Sequence, residues 1–146
     1  MPDSVTSAQV YICSGCKNLK EFVIGKGITK THNGWIDGCT ALEYVEIPDN
    51  VKGIAWYFFQ RCSNLKIVKF GRGVTYIEGC FSGCTSLKEI IILAENPPQF
   101  NVQNLDQIPA DCIFKVLPAS VEAYKSALNW CDRADYIVAL TSEEEG

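Results

Sequence analysis

Apolar residues recur along this chain at a fixed interval. Leu19, Leu42, Leu65 and Leu87 are followed by Phe22, Val45, Val68 and Ile90, and then by Ile24, Ile47, Phe70 and Ile92, with polar residues mostly between them. Each L-x-x-V-x-I unit reads as a short strand whose Leu, Val and Ile point inward. Further columns of like residues follow: Ile28, Val51 and Val74; Thr31, Ile54 and Ile77; Trp35, Phe58 and Phe81. Cys16, Cys39, Cys62 and Cys84 open the units at spacings of 23, 23 and 22 residues. A constant period of this length predicts a repeat solenoid, a strand-dominated α/β right-handed superhelix in which each unit buries its apolar face against its neighbours.

Residues 16–38, 39–61 and 62–83 are full repeats, and 1–15 and 84–93 are partial ones. Pro2-Asp3-Ser4-Val5 matches Pro48-Asp49-Asn50-Val51, so the chain begins within a repeat. Either the sequence belongs to a longer protein, which is the expectation, or this short segment serves as a cap. Turn signals follow the strands at Gly25-Lys26-Gly27, Pro48-Asp49-Asn50 and Gly71-Arg72-Gly73. The return half of each repeat has room for one helical turn or a second brief strand. The pattern breaks at Ala94-Glu95-Asn96-Pro97-Pro98, because neither proline can donate to a ladder.

Residues 94–118 are expected to form irregular closing turns and a strand, with that strand between Ile108 and Pro118. Ser120 to Trp130 reads as a helix capped by Ser120, with Val121, Tyr124, Ala127 and Leu128 on one face. Tyr136–Leu140 reads as a final strand. The sequence thus divides into a repeat region, 1–118, and a C-terminal helix-strand cap with an acidic tail, 119–146. The tail, Thr141–Gly146, is expected to be disordered.

The unit C-x-x-L-x-x-V-x-I-P-x-x-V-x-x-I-x-x-x-F resembles the BspA-like subclass of bacterial leucine-rich repeats over roughly the first two thirds of the chain. The second and third repeats match best; the first has Gly25 in place of Pro48 and Thr31 in place of Ile54. The closing L-P-A-S-V-E-A-Y-K-x-A-x-x-W is similar to the terminal segment of many such proteins. The resemblance implies an extracellular or cell-surface bacterial protein that adheres to host extracellular-matrix or microbial surface proteins. It implies no cofactor.

Charge and chemistry narrow this reading. With 13 Lys and Arg against 17 Asp and Glu, net −4, the chain lacks the basic stripe that nucleic acid or an anionic membrane requires. No apolar run reaches spanning length. Met1-Pro2-Asp3 does not begin a signal peptide, which leaves secretion undecided. Eight cysteines would suggest a disulfide framework. However, equivalent side chains on stacked strands run parallel about 4.8 Å apart, whereas a disulfide needs converging Cβ atoms about 3.8 Å apart. The structural column Cys16, Cys39, Cys62, Cys84 therefore reads as buried reduced thiols.

Cys13-x-x-Cys16 and Cys80-x-x-x-Cys84 have spacings near those of zinc ligands but lie too far apart to share an ion. Cys13 aligns with Ile36 and Phe59, which favours packing over redox chemistry. The single histidine, His32, aligns with Ala55 and Glu78, a poor setting for a catalytic base. No nucleophile-elbow, P-loop or dinucleotide motif is present. No enzyme is expected, and a thiol or zinc activity ranks last.

What remains is a surface. Between the inward residues run the outward columns Glu21, Tyr44, Ile67, Glu89 and Val23, Glu46, Lys69, Ile91, beside Lys20, Glu43, Lys66 and Lys88. Glu43–Lys66 and Glu46–Lys69 are expected to pair across strands. Val23, Tyr44, Ile67 and Ile91 would place apolar groups where solvent is expected, and with Glu46 and Lys69 they form the candidate binding surface. The sequence predicts a non-enzymatic protein-binding module, with a structural spacer that has no ligand of its own as the alternative.

Overall fold

The computed structural model describes residues 1–145; Gly146 of the expected disordered tail lies outside the described residues. Successive repeats lay equivalent backbone segments side by side in two parallel sheets. The longer sheet contains β1 (Tyr44–Ile47), β3 (Ile67–Phe70), β5 (Glu89–Ile92), β7 (Ile113–Val116) and β8 (Ile137–Ala139), in that order. The shorter contains β2 (Gly53–Ile54), β4 (Tyr76–Ile77) and β6 (Gln99–Phe100), extended by a bridge between Lys30 and Gly53. The return half of a repeat is therefore a second brief strand. Every pairing is parallel and in repeat register: Val45 faces Val68, Ile90 faces Phe114, and Phe114 faces Ile137.

The inward columns form the core. Leu42, Val45 and Ile47, then Leu65, Val68 and Phe70, then Leu87, Ile90 and Ile92 are buried, and the return halves add Phe58, Phe59 and Phe81. Phe59 and Phe81 stack with centroids 5.2 Å apart. Thr31, in an isoleucine column, is buried as well. Its Oγ1 donates to the Gly53 carbonyl and accepts from the Ala55 amide, so the hydroxyl is fully satisfied.

Each repeat also turns through a left-handed residue just before its cysteine. Gly15, Gly38 and Gly83 fill that position at φ 72°, 72° and 80°, where a side chain is strained. Arg61 occupies it at φ 57°. Its guanidinium makes two bonds, of 3.0 and 2.7 Å, to the carboxylate of Asp37, which is buried in the preceding repeat. The ion pair compensates the backbone strain and neutralises an otherwise isolated buried charge.

Several elements differ from the sequence expectation. The segment 19–24 is not paired as a strand: among the described residues no backbone hydrogen bond joins it to β1. Pro48 removes one bond of such a ladder: the equivalent amides of Gly71 and Leu93 donate to Ile47 and Phe70, and proline has no N–H. Leu19 and Phe22 are only half-buried.

The Pro97–Pro98 pair does not end the pairing either. Gln99 donates to Thr75 at 2.8 Å immediately afterwards, and the helix α1 (Gln103–Gln107) leads on to β7. The expected helix over 120–130 is shorter. A 3-10 turn at Pro118–Ser120 precedes α2 (Val121–Ser126), which stops because Ala127 turns extended at ψ 150°. Ser120 does not cap it; its hydroxyl donates to Glu95 O at 2.7 Å. Leu128 lies outside the packed face and is exposed. A further 3-10 stretch spans Cys131–Tyr136.

The departures in the closing segment have one cause. The break at 94–98 leaves carbonyls unpaired, and the C-terminal side chains serve them. Tyr124 Oη donates to Ala94 O at 2.9 Å, and Trp130 Nε1 donates to Pro98 O at 2.8 Å. Trp130 also stacks on Phe100, centroids 4.3 Å apart, and meets Phe114 edge-on.

Tyr124→Phe, which strands a buried carbonyl, is expected to cost about 1–3 kcal/mol. Trp130→Ala, which also empties the apolar site, is expected to cost about 3–5 kcal/mol. Deleting 119–146 also strips β8 from β7 and should give aggregation or a much lower melting temperature. Urea and thermal unfolding measure all three; a truncated chain that melts as the full one does would remove the capping role.

Candidate functional site

The outward face of the longer sheet holds most of the candidate residues. Parallel register places Tyr44 beside Ile67 and Glu46 beside Lys69, and Lys69 beside Ile91. Tyr44 is 45% exposed, while Ile67, Lys69 and Ile91 are half-buried. Tyr44 Oη donates to Glu46 Oε2 at 2.9 Å, so ring and carboxylate form one unit. Desolvation, followed by that bond and the charge of Glu46, pushes the phenol up to about 12.

The apolar residues do not form one strip. Ile91 sits between Lys69 and Lys115, a strand away from Ile67, and Glu89 separates Ile67 from Ile113. Val23, 67% exposed, lies on the unpaired segment 19–24 and is not part of the sheet. It instead lines a cleft of about 750 Å3 with Lys20, Glu21, Phe22, Tyr44 and Glu46.

The expected cross-strand charges do meet. Lys66 Nζ lies 2.8 Å from Glu43, and Lys69 Nζ lies 3.9 Å from Glu46. Both pairs are at least partly solvated, so each stabilises by only a few tenths of a kcal/mol, ~0.2–1.

The face extends further than the repeat columns indicate. Ile113, Lys115 and Val138 continue it, and Lys115 is ion-paired to Glu89 at 2.9 Å and to Glu144 at 2.5 Å. The acidic tail therefore folds back on the sheet rather than hanging free. Glu144 also accepts from the backbone and hydroxyl of Thr141. Lys115 first, and then these bonds, hold the Glu144 carboxyl down at about 2. The alternation of Ile113-Phe114-Lys115-Val116 was the available signal. The 24-residue step from Glu89 to Ile113 and the prolines between them obscure its register.

The cysteine column is a hydrogen-bonding device. Cys39 Sγ donates to Cys13 O at 3.1 Å, Cys62 Sγ to Ile36 O at 3.1 Å, and Cys84 Sγ to Phe59 O at 3.0 Å. Each thiol thus adds a second donor to a carbonyl of the preceding repeat that already accepts a turn amide. Cys39, Cys62 and Cys84 are buried, and all eight cysteines are free. Cys16 departs from the expected burial: it is exposed. The part of the fold that covers its counterparts is incomplete here, with Leu19 and Phe22 only half-buried beside it. Burial pushes Cys39 up to about 11 and Cys62 and Cys112 up to about 12, with Cys80 and Cys84 well above the ordinary value. These thiols are protonated and poor nucleophiles at neutral pH. His32 is exposed, and among the described residues no group of three or more potential ligands is placed to hold a metal.

With this geometry in view, the model of the BspA type leucine rich repeat region, in six copies, matches residues 1–106. The chain belongs to that family. No curated protein matches it. BspA-type repeats generally mediate protein interaction and are typically non-catalytic, in keeping with a face built of paired charges and half-exposed apolar groups. No helix among the described residues is long and apolar enough to cross a membrane.

A thiol reagent at neutral pH should label Cys16 and Cys131 rapidly and Cys13 more slowly. Cys39, Cys62, Cys80, Cys84 and Cys112 should react only after unfolding. Because the buried thiols ionise later in the folded chain than in the unfolded one, their contribution to stability is complete below the ordinary value of 9.0 and is lost as pH rises through 11 and 12. The urea midpoint should fall across that window; a midpoint independent of pH there would contradict the buried protonated column.

Proposed function

We propose that this BspA-type chain is a non-enzymatic protein-binding module of a bacterial surface or secreted protein. In this reading residues 1–118 coil as a right-handed solenoid, and 119–146 close its end. The family is typically found at bacterial cell surfaces or in secreted proteins, and its likeness favours adhesion to host extracellular-matrix or microbial surface proteins. The outward sheet face supplies the contact, with Tyr44, Glu46, Ile67, Lys69 and Ile91 on it and Val23 at its margin.

The observation that carries the proposal is the register pair Tyr44–Ile67. A half-exposed aromatic on a rigid strand loses little conformational entropy on binding, and an aliphatic neighbour doubles its apolar footprint. Charged pairs of both signs surround it and can exchange partners at low cost, which favours a protein ligand over a uniformly charged one.

A second reading, the structural spacer, is favoured by a specific observation. The charges of this face are largely satisfied within the chain, Glu43 by Lys66 and Lys115 by Glu89 and Glu144. A surface that pairs its own charges has less to offer a partner.

Surface plasmon resonance against a panel of matrix proteins separates the two. Tyr44→Ala should weaken binding by about 1–4 kcal/mol and leave the fold intact. Leu65→Ala, in the core, should lower stability by about 2–5 kcal/mol. Unchanged binding by a folded Tyr44→Ala chain, or no binding to any member of the panel, favours the spacer.

A further inference from the structure

Each cysteine of the column ends a tight turn. The amides of Cys39, Cys62 and Cys84 donate to the carbonyls three residues earlier, those of Ile36, Phe59 and Phe81, at 3.0–3.1 Å. Cys16 makes the same bond to Cys13 at 3.2 Å, and Gly15 holds the third position of that turn at φ 72°. Here both ends of the turn are cysteines, whereas Ile36, Phe59 and Phe81 open the equivalent turns as buried apolar residues. Alignment with Ile36 and Phe59 favours packing for Cys13, yet the structure leaves Cys13 only half-buried and Cys16 exposed.

The geometry suits a covalent bond. The first and fourth Cα atoms of a β-turn lie less than about 7 Å apart, within the span over which two cysteines can be joined without moving the backbone. Burial first, and then the charge and hydrogen bonding of the Cys16 thiol, push the Cys13 thiol up, which sets the two sulfurs side by side. The turn is already fixed in place. Tyr11, Cys13 and Gly15 donate to the carbonyls of Asn33, Trp35 and Asp37 at 3.0, 2.9 and 2.7 Å. Cys39, whose Sγ donates to Cys13 O, is fully buried and shielded from reagents.

We propose that Cys13 and Cys16 form a reversible redox modification site, a disulfide closed by low-molecular-weight disulfides and opened by thiols. The exposed Cys16 thiolate attacks one sulfur of oxidised glutathione and expels one glutathione thiolate, leaving a mixed disulfide. Cys13 then loses its proton to solvent and attacks Cys16 Sγ, and the second glutathione thiolate leaves. Two protein thiols are thereby oxidised by two electrons, and one glutathione disulfide is reduced to two thiols. The bond locks the turn through which the N-terminal partial repeat is bonded to the repeat that follows. The site lies apart from the outward sheet face and does not depend on what that face binds.

The test uses the full chain, reduced, freed of reductant and incubated with oxidised glutathione before alkylation and tryptic digestion. Both cysteines fall in the peptide Met1–Lys17, and Cys39 falls in Thr31–Lys52. Mass spectrometry should find Met1–Lys17 short of two hydrogens and unalkylated, and dithiothreitol should restore it. Cys13→Ser should instead keep glutathione on Cys16. Amide hydrogen exchange of Tyr11, Cys13 and Gly15 should slow at least about threefold on oxidation, with the amides of β5 unchanged. The inference is overturned if wild-type Cys16 retains glutathione while Cys13 stays open to alkylation, or if Cys16 is found joined to the Cys39 peptide. Exchange at Tyr11, Cys13 and Gly15 that oxidation does not slow would equally remove the locking of the turn.

Discussion

Parallel pairing between residues 22 to 24 positions apart constrains almost everything else in this molecule. A parallel ladder requires equivalent residues to sit side by side, so each column of the sequence becomes a physical row. Inward rows must then be apolar along their length, and the turn between strands must repeat its backbone. The cysteine row follows from the same constraint. A small side chain fits between tightly stacked turns, and its S–H gives a second donor to a carbonyl that already accepts a turn amide, as Cys62 does to Ile36. Serine could donate as well but would carry a more strongly hydrated hydroxyl into an apolar row.

Exceptions to the row pattern are informative because a neighbour compensates each of them. Arg61 takes a left-handed turn position that glycine fills in other repeats, and its charge is matched by Asp37 one repeat earlier. Thr31 replaces an isoleucine and bonds both ways to the next repeat. Pro48 alone has no such answer at the sheet edge. The bond it removes is not replaced there, and the first junction holds only on the return side, where the chain hydrogen bonds and the Asn50 side chain remain. The side-chain columns alone would continue the sheet across this junction.

The inward columns and the family were legible in the sequence because each row is repeated at least three times, so that chance agreement at one position is outvoted by the rest. The second strand of each repeat was not decided, since two residues such as Gly53–Ile54 carry no period. The strands of the closing segment are legible, but nothing in the spacing shows that β7 and β8 extend the same sheet across the Pro97–Pro98 pair. A helix running to Trp130 satisfies the apolar period. The structure instead turns extended at Ala127, which brings the indole beneath Phe100 and its N–H to Pro98. Tertiary demand for a donor overrides local periodicity there. On the candidate face, register sets Tyr44 beside Ile67 and Ile91 beside Lys69, as the columns require, whereas Val23 lies outside the sheet because segment 19–24 is unpaired.

Where successive repeats pair in parallel register, stability depends on the junctions between them. The junction between the second and third repeats is bonded on both sheets and shares the Phe59–Phe81 stack, whereas the Arg61–Asp37 pair spans the junction before it. The C-terminal segment adds Trp130 and Tyr124, whose rings meet edge-on and whose polar atoms satisfy the carbonyls around the prolines. The first junction lacks one of its two ladders and should open at a lower free energy than the others.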